Sequence, residues 1–296
     1  MRDPFSEVLV SLGTRSVRGT SLEAGGEWAL SFDGRDRLKF VAIRRGHCWL
    51  LLPGLAPELL QEGDVILLAD TVYTIASEPG VTPVDGMSLY ASPGQNLVRL
   101  GTSSETVMIG GGSAFSEGSG WFVLDALPKF MRVDPKSSSA QAIARTLGAL
   151  YDEASSDAVG GSLVAEKLAE ILVIEAVRAY IADGASLGTG WIAALAEPRL
   201  ANAIKLMHDN VARRWTVEAL AKEIGMSRSS LNFHFSQRVG LPPLAYLTQW
   251  RMILADRKLA MGAAVSETAA EVGYLSQSAF TQAFKRTFGR TPRSRQ

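Results

Sequence analysis

A chain of 296 residues, nearly half apolar and a fifth charged, is long enough for two domains that each bury a core. Its apolar runs are too short to cross a bilayer, and its Met-Arg-Asp-Pro start lacks the pattern of a secretory leader. A single cysteine, Cys48, excludes an internal disulfide, so the expected compartment is the cytoplasm. Formal net charge is zero, yet residues 199–296 hold 15 Lys+Arg against 6 Asp+Glu, a net of +9 that leaves −9 for the rest. An acidic front and a basic tail suit only the tail to phosphate.

Phe5, Val8, Leu9 and Leu12 are spaced for one face of a short opening helix. From about Ser16 to Phe115 the pattern changes to β-favouring runs: Trp28–Phe32, Leu38–Ile43, Cys48–Leu52, Val65–Leu68, Val72–Ile75 and Thr106–Ile109. Between them stand turn signals such as Asp33-Gly34, Arg45-Gly46 and Glu62-Gly63. Many short strands at close spacing predict a small barrel or sandwich. A ligand pocket inside it would draw aromatic walls from Trp28, Phe40, Trp49 and Tyr73, with Arg44 as a charge for an acidic ligand. The same side chains suit plain core filling. Gly110-Gly111-Gly112-Ser113 has no following Lys-Ser or Lys-Thr and opens no helix, so it is a strand end or bulge, not a phosphate loop. Ser137-Ser138-Ser139 reads as a helix cap.

Near Trp121 the chain turns helical, with a stripe of Ile143, Leu147 and Leu150. The segment Leu163–Ala182 is apolar nearly all round, and Leu168, Ile171, Leu172 and Ile174 are its candidate homodimer contacts. Packing on the barrel explains the same pattern equally well. Asp183-Gly184-Ala185-Ser186 begins a flexible linker. The expected domains are a barrel over 1–120, a helical dimerisation segment over 121–183, a linker over 184–197 and an all-α domain over 198–296.

That last domain carries an internal repeat. Residues 223–243 read EIGMSRSSLNFHFSQRVGLPP and residues 271–292 read EVGYLSQSAFTQAFKRTFGRTP. Their offset is 48 before the turn and 49 after it, so the second turn is one residue longer. Each copy has a short helix stopped at a glycine, a serine cap and a second helix, the plan of a helix-turn-helix. Leu231, Phe235 and Val239, and Phe280, Phe284 and Phe288, recur four apart and face the core. The opposite faces carry Arg228, Ser229, Asn232, Phe233 and Ser236 in one copy, and Gln277, Ser278, Thr281, Gln282 and Lys285 in the other. Those groups suit base edges and phosphates. Between the copies a helix over 243–261 spans about 28 Å, near the ~34 Å repeat of the major groove on one face of DNA. Its Arg251, Arg257 and Lys258 are left for phosphate or for acidic side chains.

Leu220-Ala221, Gly225-Met226-Ser227, Leu231, Phe235, Gly240, Pro243, Arg251, Leu259 and the run from Gly273 to Pro292 resemble the DNA-binding domain of the AraC/XylS family of transcriptional regulators. In that family the base-reading positions correspond to Ser229, Asn232 and Phe233, and to Gln277, Ser278, Thr281 and Gln282, the faces already found. Thr268 departs from the family, which carries a branched apolar residue there. The strand-rich front resembles the family's cupin-type sensor domain through Trp28-Ala-Leu-Ser-Phe32, Arg45-Gly-His-Cys-Trp49 and Glu62-Gly-Asp-Val-Ile-Leu-Leu68. A cupin enzyme would need a metal held by several histidines. This chain has only His47, His208 and His234, so no catalytic residue, metal or cofactor is expected.

The expected architecture is therefore α+β in two domains: a cupin-like barrel with trailing helices, and two helix-turn-helix units on a long helix. The expected function is a sequence-specific regulator that binds double-stranded DNA, responds to a small-molecule effector and meets RNA polymerase if it activates. Two alternatives stay open: a front domain that only dimerises or binds a protein, and a cupin enzyme fused to a DNA-binding domain.

Overall fold

Turn chemistry decides where the front of the chain folds back, and the side chains of Thr216, Ser227 and Ser276 cap three helices of the rear. The structure, a computed structural model, describes residues 3–12, 15–92, 95–115, 118–133, 139–154, 158–182 and 188–292. In chain order the first elements are α1 (Pro4–Ser11), β1 (Arg15–Ala24), β2 (Ala29–Arg45), β3 (His47–Leu51), β4 (Glu58–Gln61) and β5 (Val65–Ala76). Next come β6 (Val84–Asp85), α2 (Gly86–Leu89), β7 (Leu97–Leu100), β8 (Thr106–Ala114), α3 (Trp121–Leu124), β9 (Phe130–Arg132), α4 (Ala140–Ala154) and α5 (Gly161–Ala182). The rear holds α6 (Trp191–Ala194), α7 (Pro198–Asp209), α8 (Val217–Glu223), α9 (Arg228–Val239), α10 (Pro243–Ala260), α11 (Val265–Glu271) and α12 (Gln277–Phe288).

Two compact units divide the chain. One joins Arg15–Ala114 to Pro128–Ser186; the other joins Met1–Thr14 and Phe115–Leu127 to Leu187–Gln296.

The first unit is built on one sheet in the order β4-β3-β5-β2-β8-β1-β7, with β6 paired to β2 and β9 to β5. Leu22, Leu30, Leu50, Leu60, Ile66 and Met108, from six of these strands, meet in one buried cluster, so the sheet wraps on itself as a barrel. Strands expected as separate pieces are fused. Trp28–Phe32 and Leu38–Ile43 both fall in or against β2, and the two runs expected over 65–75 are one strand, β5. The Asp33-Gly34 signal is spent on a register shift between Gly34 and Leu38, not on a hairpin. Asp36 there takes φ 57°, and its N–H donates to the Asp70 carboxylate at 3.0 Å. Gly46 is a true turn, left-handed at φ 75° between β2 and β3. The glycine run lies in the middle of β8, where strand pairing requires it. A Cβ on Gly112 would come 2.1 Å from the Leu38 carbonyl oxygen.

α5 lies against β1 and α4. Its buried face is small and apolar, from Ala165 and Ala169 to Leu172, Val173, Ala176 and Val177. Residues 137 and 138 of the expected serine cap lie outside the described residues; the Ser139 carbonyl accepts from the Ile143 N–H.

The second unit departs from the expected boundaries. α1 and residues 115–127, assigned by sequence to the barrel and its trailing helices, belong with the helices of the rear. The reason is apolar packing. Phe122 stacks on Trp191 at 5.5 Å and on Trp250 at 5.9 Å, and the Trp191 indole donates to the Phe122 carbonyl at 2.6 Å. Phe5 of α1 lies 6.3 Å from the same Trp191. Residues 183–187 of the expected linker lie outside the described residues. The remainder is no tether: all four residues of α6 are buried, and the Gly190 N–H donates to the Arg238 carbonyl.

Candidate nucleic-acid interface and ligand cavity

Each helix-turn-helix is fixed by its caps. Thr216 accepts from the Ala219 N–H to start α8, and Gly225 at φ 66° stops the chain after it. Ser227 accepts from the Ser230 N–H to start α9, which ends at Gly240 with φ 82°. The second copy repeats this: Gly273 at φ 85° after α11, Ser276 accepting from the Ala279 N–H, and Gly289 at φ 69° after α12. Leu231, Phe235, Phe280 and Phe284 are fully buried, which fixes the rotation of both second helices; Val239 is nearly so and Phe288 half-buried.

That rotation leaves the opposite face free. Arg228, Ser229, Asn232 and Phe233 are exposed on α9, with Ser236 half-buried. Gln277, Ser278, Gln282 and Lys285 are exposed on α12, with Thr281 half-buried. Phe233 keeps 61% of its surface in solvent, an unusual place for an aromatic ring unless a partner covers it. Arg228 reaches Glu218 only at 3.9 Å across solvent, a pair too exposed to hold it against phosphate.

α10 runs 18 residues, about 27 Å. Of its cations Lys258 meets an acidic side chain, one of the two expected roles, while Arg251 and Arg257 turn to other groups. Arg251 donates to the carbonyls of Val211 and Arg213 at 2.9 and 2.8 Å, Lys258 pairs with Glu271 at 2.6 Å, and Arg257 reaches the Ser11 hydroxyl. They clamp the helices. His208, expected only to sit somewhere in this domain, is buried under α10 in a ring stack 4.2 Å from Trp250. Burial lowers its pKa. A neutral imidazole must then donate from Nδ1 to Glu7 of α1, at 3.1 Å, and accept at Nε2 from the Tyr246 hydroxyl, at 2.8 Å.

The barrel holds a cavity of 380 Å³, lined by Leu22, Phe32, Val41, Ile75 and Met108 among others. Of the expected pocket residues only Tyr73 lines it. Trp28 is core packing, and Phe40, fully buried, points to the other side of β2, where a Cβ on Gly111 would strike its ring at 2.6 Å. The alternation of a strand explains the miss: Arg37, Lys39 and Val41 face the cavity, so Phe40 cannot. Trp49 is half-buried on β3 away from it, and Arg44 is exposed, over the Tyr151 ring at 5.2 Å and on the wall of a second, more open hollow against α4. Sequence reasoning missed Lys39, although a lysine between Leu38 and Phe40 in an apolar strand was a signal.

His47 is exposed, and no cluster of metal-ligating side chains occurs among the described residues. Cys48 is fully buried beside Met108, and burial pushes its thiol up to about 12. Of the four expected dimer contacts Leu172 is core, Leu168 and Ile174 are half-buried, and Ile171 is 45% exposed. Leu163 and Val164 share that outer face.

A cupin family profile matches residues 3–182 and a helix-turn-helix domain profile matches residues 220–295. A putative AraC-like transcription regulator of Streptomyces lividans is 39% identical over 98% of this chain and 96% of its own length. A second, of Streptomyces antibioticus, is 38% identical over 98% and 97%. Among solved structures, ToxT of Vibrio cholerae with a bound unsaturated fatty acid is 13% identical, covers 94% of this chain and 93% of its own, and has a TM-score of 0.37. With a cupin-type front, a doubled helix-turn-helix rear and full-length relatives of the same name, the chain belongs to the AraC/XylS family and is a DNA-binding transcriptional regulator.

Proposed function

We propose that this regulator reads its operator with the exposed faces of α9 and α12 and that a small molecule in the barrel governs it. The observation that carries the first half is the register of the two copies. Both second helices start at a serine cap, bury aromatic or leucine anchors four apart and leave a polar face in solvent. Ser229, Asn232 and Phe233, with Gln277, Ser278, Thr281 and Gln282, contact base edges; Arg228, Ser236 and Lys285 contact the backbone. A cavity of ligand size inside the barrel supports the second half. The protein acts where the DNA is, in the cytoplasm, as a homodimer, and touches RNA polymerase if it activates.

Footprinting on the DNA upstream of its own gene tests this. A protected region spanning two successive major grooves per protomer is expected. Protection no better than on random DNA would remove the readout from α9 and α12.

A further inference from the structure

The cavity has an unbalanced chemistry. Two cations, Arg37 and Lys39, line it, and no Asp or Glu does. Arg37 is half-exposed and solvated at its edge. Lys39 is only 7% exposed, and no carboxylate or other acceptor among the described residues meets its ammonium. An ammonium on a largely buried apolar wall is poorly screened, so an anion placed beside it is held more strongly than in water. Tyr73 belongs to the same lining five residues further along β5 from Leu68, the register partner of Lys39; its hydroxyl has no partner among the described residues, and its ring stacks on Phe32 at 5.2 Å. The other hydroxyls are used: Thr20 donates to the Gly110 carbonyl at 3.2 Å and Tyr90 to that of Ser21 at 3.1 Å. The remaining wall is apolar, from Leu22, Val41 and Ile75 to Met108. Met87 and Ala91, on and just after α2, are exposed at its edge and give a way in.

Resting on the reading that the barrel senses a small molecule, we infer that its ligand is an apolar monocarboxylate, with its head on Lys39 and its body against the aliphatic wall. Of the two cations in the lining only Lys39 is buried, and one buried ammonium neutralises one charge, which favours a carboxylate over the dianion of a phosphate monoester. The volume fits a compact chain or ring, since drug-sized ligand pockets start at about 300 Å³. Burial, with Arg37 nearby, also lowers the Lys39 pKa to about 8, so the ammonium is still the main form at neutral pH.

The test uses the full-length protein and four probes of one length: octanoate, octanol, octylamine and octyl phosphate. Calorimetric titration should show octanoate binding at least tenfold more tightly than each of the other three. Lys39→Met should weaken octanoate by thirtyfold or more and leave octanol unchanged, erasing the preference. Lys39→Arg, which keeps the charge, should retain part of it. Ile75→Trp, which fills the cavity, should remove all binding. Equal affinity for octanoate and octanol, no uptake of octanoate, or an unaltered preference in Lys39→Met would each overturn the inference. Footprinting the same preparations separates the two ideas. A protein that protects its operator and takes up no octanoate loses the ligand assignment alone, and one that protects nothing loses the regulator reading.

Discussion

At the scale of single residues, exposure and partners sort the interface by role. Asn232 is exposed and makes no competing hydrogen bond among the described residues, so its amide is free for an adenine edge. Asn232→Ala should cost about 1–3 kcal/mol on the operator and relax choice at one base position. Lys285→Ala should weaken all sequences alike and flatten the salt slope by about one. Binding isotherms on operator variants at several salt concentrations read both, and a Lys285 variant with altered base preference and an unaltered slope would contradict the assignment. Thr268 is a different case. It is fully buried on α11 with no partner for its hydroxyl among the described residues, at the position where the family carries a branched hydrocarbon. An unsatisfied buried hydroxyl costs about 1–3 kcal/mol. Thr268→Val keeps the shape and should raise the midpoint of denaturant unfolding, with operator affinity unaltered; a lowered midpoint would mean that the hydroxyl is satisfied.

At the scale of elements, helices with a strong cap and a regular stripe were legible, since cap and stripe act within one turn. α9 and α12 begin at Ser227 and Ser276 and end at Gly240 and Gly289 for reasons contained in a dozen residues. The fused strands were not legible, because Asp33-Gly34 has the chemistry of a turn and only pairing with β5 makes it a bulge. α5 was half legible. Its apolar circumference was plain, but which arc faces the sheet depends on β1 and α4, and the structure moves Leu172 to the core and leaves Ile171 outside. Ile171→Glu should therefore leave the fold intact and halve the mass in light scattering. A dimer that survives this change lies elsewhere. α1 carries a pH-sensitive contact. His208 is held neutral by burial, whereas in the unfolded chain it takes up a proton near pH 6.5. The unfolded state binds the extra proton, so stability is full above about 6.5 and falls as pH drops through that value. The melting temperature should decline between pH 6.5 and 5, and His208→Gln should remove that part of the decline; an equal decline in the variant would place its origin in other groups.

At the scale of the whole molecule, the repeat and the charge asymmetry placed DNA binding in the tail, but the sequence could not reveal that this unit takes helices from the other end of the chain. The local pattern of Phe5, Val8 and Leu12 announces an apolar face and not its partner. A fragment of residues 188–296 lacks the aromatic cover that Phe122 and α1 give to Trp191, Trp250 and His208. It should melt at a lower temperature than the same unit in the intact protein and bind a hydrophobic dye, yet keep its preference for the operator. Its log–log salt slope should still be near −0.9 per phosphate neutralised. A fragment that melts with the intact protein would show that the cover is dispensable. The pairing of Glu7 with His208 spans 201 positions, and that separation also sets a schedule for synthesis. At roughly 5–20 residues per second on the ribosome, α1 is made about 10–40 seconds before its partner. For that interval a short helix with Phe5, Val8 and Leu12 on one side lacks His208 and Trp191 to rest on, so an early-made segment is among the last to find its place and the nascent chain offers a timed target for a chaperone.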